Sequence, residues 1–208
     1  MAITIRNATS RDLTEVERLE EEVWPEGTRA PLEKFKSRLQ VFQKGFLLAY
    51  SEGKLIGAST SQIIDYDEQE SIGSWEEITD NGWIRNSHIE EGNALYVVSL
   101  GAISRSGGGS ALLQAQKSLA TKLNLEYLVL GSRIPGYDHY CREYGEIPIE
   151  EYVRLQGSNG ELLDPELRFY KRNGLSLSKI ISNYMEDDRE SRNHGAIMVW
   201  THESPKSY

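Results

Sequence analysis

Three consecutive glycines, Gly107, Gly108 and Gly109, constrain the fold of this chain more than any other feature of its sequence. Residues 94–100 before them are almost all apolar, which is typical of a strand covered on both faces. After them, apolar residues recur at helical spacing from residue 110 to about residue 122. The segment therefore predicts a buried strand, a glycine turn and a helix, which together are a unit of an α/β or α+β sheet.

The glycine turn also predicts a binding function. Without a Cβ the backbone comes close to a ligand, and the N-terminus of the following helix adds a partial positive charge, which suits a pyrophosphate. A tight structural turn without a ligand is the alternative. The turn lacks the Gly-Lys-Ser/Thr of a P-loop and the glycine spacing of a dinucleotide fingerprint. The residues whose amides we expect to face one anion are Arg105, Ser106, Gly107, Gly108, Gly109 and Ser110.

Periodicity along the rest of the chain predicts the order β α α β β β α β α β β. Ser10 is the predicted N-cap of the first helix, and Asp164 with Pro165 opens the last. Two stretches, residues 65–93 and 132–163, show no regular pattern and are predicted as irregular insertions. The remaining strands are expected at residues 3–5, 45–50, 54–58, 126–130, 175–184 and 196–200.

Composition narrows the class of protein. The 208 residues predict a single domain over residues 1–208. No apolar run reaches the roughly 20 residues of a membrane span. The single cysteine, Cys141, indicates a reducing, cytoplasmic setting. The histidines have no ligand spacing, so no metal site is expected.

The net charge of the chain is −9, because 23 Lys and Arg residues stand against 32 Asp and Glu residues. The sequence contains no run of basic residues of the kind that binds nucleic acid. Residues 65–91 hold nine acids against Arg85 alone, together with Trp75 and Trp83. This segment attracts a cationic partner or serves only solubility. Trp75, Trp83 and Trp24 are expected mainly in the core, with a pocket wall as the alternative.

The strand, glycine turn and helix resemble the coenzyme A signature of the GNAT acyltransferase superfamily, Gln/Arg-x-x-Gly-x-Gly/Ala. In this register Gly107 and Gly109 match and Ser104 departs from the first position. The resemblance implies a GNAT-type mixed central sheet of six to seven strands, with helices on both faces, splayed at the acyl-CoA site. It also implies acyl-CoA or acetyl-CoA as co-substrate. The residues whose backbone we expect to pair with pantetheine as an added strand are Val97, Val98 and Ser99.

A second match lies at residues 167–175, which are similar to the family's helix ending in Tyr-x-x-x-Gly-Phe. The resemblance implies that Tyr170 is the general acid that protonates the departing thiolate. Residues 133–137, 150–153, 164–169 and 182–185 further resemble GNAT domains fused to carbon–nitrogen hydrolases and the GNAT-like loading domains of polyketide synthases. The His and Thr that decarboxylating members use correspond to Tyr170 and Leu130 here.

The general base is not evident from the sequence, because residues 96–103 contain no carboxylate. His139 is a candidate base, beside Asp138, Glu76 and Glu77. Ser99 is a further alternative, through a water held by its hydroxyl.

We therefore expect an N-acyltransferase that moves an acetyl or longer acyl group from coenzyme A to an amine by direct attack. A small amine, a cationic amine and a peptide side-chain amine all remain open as acceptors, as do a monomer and a homodimer. Two alternatives stay open. One is acyl transfer to the thiol of a carrier protein, and the other is a non-catalytic acyl-CoA-binding module.

Overall fold

A computed structural model describes residues 2–202. Its strands form one seven-stranded sheet in the order β1-β2-β3-β4-β5-β7-β6. Within the described residues β4 and β5 are parallel, and the other neighbouring pairs are antiparallel. The expected mixed central sheet is confirmed. Its strands are β1 (Ile3–Asn7), β2 (Leu47–Ser51), β3 (Lys54–Ile64), β4 (Ala94–Ala102), β5 (Tyr127–Ser132), β6 (Ser176–Ile181) and β7 (Gly195–Thr201).

Helices cover both faces of the sheet, because successive side chains of a strand point to opposite faces. In β2, Leu48 packs with apolar residues of the first two helices, whereas Leu47 and Ala49 pack with Leu112 of the fourth. The helices are α1 (Leu13–Val23), α2 (Leu32–Phe42), α3 (Trp75–Ile78), α4 (Gly108–Lys122), α5 (Tyr137–Tyr144), α6 (Ile149–Tyr152) and α7 (Pro165–Arg172). Within residues 2–202 no helix is long and apolar enough to cross a membrane.

The sheet splits between β4 and β5, as expected. Their pairing begins at Ala94 with Tyr127 and ends at Tyr96 with Val129. Both strands then continue without pairing to each other, so a gap opens between them. At the start of the gap the Tyr96 hydroxyl is hydrogen-bonded to that of Tyr184.

A β-bulge in β4 lies at the same place. Ser61 of β3 pairs with Val97 and Thr60 pairs with Ser99, which leaves Val98 without a partner in β3. A bulge inserts one extra residue and bends the strand, and bulges are frequent beside active sites. The bend therefore directs the end of β4 away from β5.

The prediction that residues 132–163 are irregular is wrong. The segment contains α5 and α6, and Tyr137, Cys141, Ile149 and Tyr152 are buried in the main core. The two helices have only eight and four residues, too few for a clear period in the sequence. The segment is therefore part of the core rather than an addition to it.

Two boundaries also differ from the predictions. The helical segment begins with a 3-10 turn, Ser10–Asp12, whose N-cap is Thr9, and Asp12 is the N-cap of α1 instead of the predicted Ser10. The backbone N–H and the hydroxyl of Thr9 both donate to the Asp12 carboxylate over 2.8 Å. Strand β3 continues to Ile64 instead of ending near residue 58, because it pairs with β4 over its whole second half. The other insertion, residues 65–93, consists of turns around the single short helix α3.

Candidate active site

The glycine turn forms one wall of a cleft of about 730 Å³, which we call the glycine cleft. Gly107 is the N-cap of α4 and has a φ of +80°, a backbone conformation that side chains other than glycine rarely adopt. Gly109 lies where an added Cβ would come within 3.3 Å of the Phe169 ring. Glycine at these two positions lets the turn bend and keeps the cleft open. Four of the predicted cofactor-binding residues line it: Arg105, Gly107, Gly109 and Ser110.

The other two residues of the predicted turn, Ser106 and Gly108, do not line the cleft. The Gly108 amide donates to the Ser106 hydroxyl over 3.1 Å, and the Ser106 amide donates to the Ile103 carbonyl over 3.2 Å. A Cβ on Gly108 would lie 3.1 Å from the Ile56 carbonyl oxygen. These two amides hold the turn together and are not free to face an anion. Fewer backbone amides are therefore available to an anion than the sequence analysis predicted.

Helix α7 forms the opposite wall. The Asp164 carboxylate caps it as predicted, accepting hydrogen bonds from the amides of Glu166 and Leu167 at 3.0 and 3.1 Å. The same carboxylate accepts one from the Gly136 amide at 3.0 Å, which joins residues 132–163 to the start of the helix. The cap and this contact fix the position of the helix over the cleft.

Tyr170 lies on the inner side of α7. Its side chain is buried and lines both the glycine cleft and a small cavity of about 30 Å³ in the gap between β4 and β5, the central cavity. Its hydroxyl makes no hydrogen bond to any residue within 2–202. Burial, helped by the nearby Glu166 charge, raises the pKa of Tyr170 well above its ordinary value. The hydroxyl is therefore protonated at any working pH.

Glu166 is a residue that the sequence analysis missed. It lies one helical turn before Tyr170 and lines the same two cavities. Burial raises its pKa to about 8, opposed by Arg133 and assisted by Asp164, Asp188 and Glu190. The spacing of four residues from Tyr170 was the available signal, since such pairs share one face of a helix.

The three residues predicted to pair with pantetheine, Val97, Val98 and Ser99, line the central cavity. The Val98 carbonyl already accepts a hydrogen bond from the indole of Trp75 over 3.0 Å. A ligand strand that pairs at this carbonyl would share it with the indole or displace the indole. Trp75 packs against the main core and also lines the cavity wall, so both positions considered for it in the sequence analysis apply.

A third cavity, of about 200 Å³, lies beside α2, and we call it the α2 cavity. It shares Trp24, Trp75, Val98 and Ser99 with the central cavity. Trp24 lines all three cavities, and its buried indole N–H has no hydrogen-bond partner in the described part of the chain. Gly101 makes room for that indole, because a Cβ there would lie 2.7 Å from its nitrogen. The glycine cleft, the central cavity and the α2 cavity thus follow one another across the bulged end of β4.

The candidate bases are separated by the fold. The His139 side chain is 81% exposed on α5, lies 3.2 Å from Glu143, and lines none of the three cavities. Asp138 is held by Arg142 and Arg192. The structure thus gives no support to His139 or Asp138 as the base, because neither side chain reaches the gap in the sheet.

The two remaining candidate bases, Glu76 and Glu77, are neighbours in the sequence but have different surroundings in the structure. Glu77 caps α3 by accepting from the Ser74 amide over 2.9 Å. Glu76 lines the α2 cavity. Of the two, Glu76 is the one that a bound acceptor can contact.

Comparison with known proteins identifies relatives over nearly the whole chain, although no family model matches. "Uncharacterized N-acetyltransferase YkwB" of Bacillus subtilis is 34% identical over 206 residues, covering 96% of this chain and 88% of that protein. "Probable hydrolase YhcX" of the same organism is 33% identical and covers 95% of this chain. The chain spans 38% of the length of that relative.

Solved structures agree with this relationship. The GNAT-like decarboxylase GphF in complex with isobutyryl-CoA superposes with a TM-score of 0.80. It is 27% identical, and the match covers 95% of this chain and 98% of that one. The similarity therefore extends over the sheet and the helices around all three cavities.

Proposed function

The chain belongs to the GNAT superfamily, and from this premise we propose that it is an acyl-CoA-dependent N-acyltransferase. The observation that carries the proposal is the meeting of Tyr170 and Glu166 in the central cavity, between the glycine cleft and the α2 cavity. Acyl transfer from a thioester to an amine needs one group that gives a proton and one that takes a proton. Two such groups stand together here.

The glycine cleft is the proposed site of coenzyme A. The amides of Gly109 and Ser110, at the N-terminus of α4, would hold the pyrophosphate, and Arg105 would add a positive charge; the position of all three in the cleft lining supports this. The GNAT-like decarboxylase crystallised with isobutyryl-CoA supports an acyl-CoA ligand for this fold. The pantetheine arm would then run along the end of β4 toward the central cavity.

The reaction proposed in the central cavity is a direct transfer. The amine nitrogen attacks the thioester carbonyl carbon, a C–N bond forms, and the C–S bond breaks. The Glu166 carboxylate accepts the proton that the amine loses, and Tyr170 donates a proton to the departing sulfur. A pKa of about 8 suits the first role, because a base works best when its pKa is near the working pH. Proton return from Glu166 to Tyr170, one helical turn away, restores both groups.

The test is a transfer assay with the purified chain. Acetyl-CoA and longer acyl-CoA thioesters are offered with a panel of amines and with a carrier protein that bears a phosphopantetheine thiol. Release of free thiol together with an equal amount of amide is the expected result. Transfer only to the carrier thiol would contradict N-acylation, and tight acyl-CoA binding without turnover on any acceptor would indicate a binding module.

A further inference from the structure

Arg38 of α2 is a fully buried cation, with only 1% of its surface exposed. Its Nε donates to the Gly82 carbonyl over 2.8 Å. Its Nη1 donates to the hydroxyls of Thr60 and Ser99 over 3.3 and 3.2 Å. All three partners are neutral, and no carboxylate within residues 2–202 forms an ion pair with it.

The remaining nitrogen, Nη2, is buried and has no hydrogen-bond partner among residues 2–202. A buried polar group without a partner is rare, and a buried charge without one is costly. Burial lowers the pKa of Arg38 to about 10, opposed by the charge of the nearby Glu20, so the guanidinium stays charged at neutral pH. The unpartnered Nη2 of this buried cation indicates that a ligand supplies the missing hydrogen-bond acceptor.

Arg38 lines the α2 cavity. A Cβ on Gly82 would lie 2.6 Å from Nη2 and 2.8 Å from the Trp75 ring, so Nη2 lies directly beneath Gly82, next to a ring that lines the same cavity. Lys34, one turn earlier in α2, lines the same cavity, and its Nζ donates to the Asn81 side chain over 3.1 Å. Burial and the charge of Arg38 lower the pKa of Lys34. Two cations without ion pairs therefore face one small cavity.

The same cavity also contains carboxylates. Glu20 is 8% exposed, and its Oε1 accepts from the Ala30 amide over 2.9 Å. Glu76 lines the cavity beside Trp75. A ligand with a positive amine and a negative carboxylate therefore finds partners for both of its charges.

We propose that the α2 cavity binds an acceptor that carries a carboxylate as well as its amine, a small amino acid, with the carboxylate held by Arg38 Nη2 and Lys34 Nζ. This assignment rests on the proposed function. The volume of about 200 Å³ suits a molecule of that size. Because Arg38 also donates to the Ser99 hydroxyl, which lines the central cavity, the carboxylate site is directly joined to the place of transfer.

The experiment compares each amino acid with its own amide, which keeps the amine and removes the carboxylate charge. In the wild-type chain we expect a lower KM for the amino acid. Arg38→Met and Lys34→Met should each raise that KM about 10- to 100-fold, the effect of losing one charge-assisted hydrogen bond, and leave the KM of the amide nearly unchanged. Lys36→Met is the matched control, because Lys36 lies on the same helix, is 50% exposed, and approaches only Glu33 at 3.9 Å.

Lys34 is only partly buried, so Lys34→Met keeps the test valid even where Arg38→Met fails to fold. Calorimetric binding of the same amino acids and amides, without acyl-CoA, separates this proposal from the proposed function. Preferred binding of the amino acid, lost in Lys34→Met, supports the site even if no transfer occurs. Equal affinity for amino acid and amide would overturn it. A KM change confined to an acyl-CoA with a terminal carboxylate would also overturn it, because the acyl group would then be the source of the carboxylate.

Discussion

Replacing Tyr170 by phenylalanine tests the proposed proton donor most directly. The substitution keeps the buried ring, which packs in the main core, and removes only the hydroxyl. That hydroxyl makes no hydrogen bond to a described residue and lines the glycine cleft and the central cavity. The expected effect is therefore on the reaction and not on the fold.

The structure sets both magnitudes. With no hydrogen bond to lose, the free energy of unfolding should change by less than about 0.5 kcal/mol. General acid catalysis contributes about 10²–10⁴-fold, so kcat should fall by that factor. The KM of acyl-CoA should change little, because the proton is given in the transition state and not in the bound ground state.

Tyr137→Phe is the matched control. Tyr137 is also buried, but its hydroxyl donates to the Ile147 carbonyl over 2.8 Å and lines none of the three cavities. Loss of the Tyr137 hydroxyl and of this hydrogen bond should lower the free energy of unfolding by about 0.5–1.5 kcal/mol and leave kcat unchanged. Thiol release during acyl transfer and thermal unfolding are measured on both variants. A Tyr170→Phe chain with kcat within a factor of ten of wild type would refute the donor role, as would a loss of rate that only follows the melting temperature.

Three further predictions concern the other parts of the site. Gly109→Val should weaken acyl-CoA binding about 10- to 100-fold, because the new side chain crowds Phe169 across the cleft. Unchanged acyl-CoA affinity in calorimetry would show that the glycine cleft is not the coenzyme A site. In wild type, kcat/KM should rise with pH through about 8 as Glu166 loses its proton, and Glu166→Gln should abolish that rise; a retained rise would assign the base elsewhere. The folded chain keeps a Glu166 proton that the unfolded chain releases at lower pH, so this group lowers stability as pH rises toward 8, and melting of Glu166→Gln should lack that contribution. Glu76→Gln should raise the acceptor KM at low salt, whereas Glu77→Gln should affect only the cap of α3. Equal effects of the two substitutions on KM would indicate that the acidic residues 65–91 serve only solubility.

Local patterns account for the parts of the fold that were predicted well. The apolar run before the glycines and the helical spacing after them correspond to β4 and α4. The Asp164 cap with Pro165 marks the start of α7. In each case a short stretch of chain carries its own reason to form, whether burial on both faces of a strand or a side chain that satisfies free amides. Such signals can be read without knowing what lies across the sheet.

Contacts between distant segments explain the errors. Residues 132–163 have no clear period, yet α5 and α6 pack into the main core. The Trp75 indole donates to the Val98 carbonyl in the gap of the sheet, a contact that nothing in the sequence indicates. Neither position follows from spacing along the chain, because the partner comes from another element.

The sequence by itself determined that a buried strand, a glycine turn and a helix stand together, and that a tyrosine follows on a later helix. These are local features, and their residue types limit the chemistry that each can perform. Only the tertiary structure decided which side chains share a cavity. It separates His139 from the gap, turns the face of α7 that carries Glu166 and Tyr170 toward the central cavity, and leaves Nη2 of the buried Arg38 without a hydrogen-bond partner among residues 2–202. Burial and pairing set the charge and the proton affinity of a group, and both depend on neighbours that lie far away in sequence.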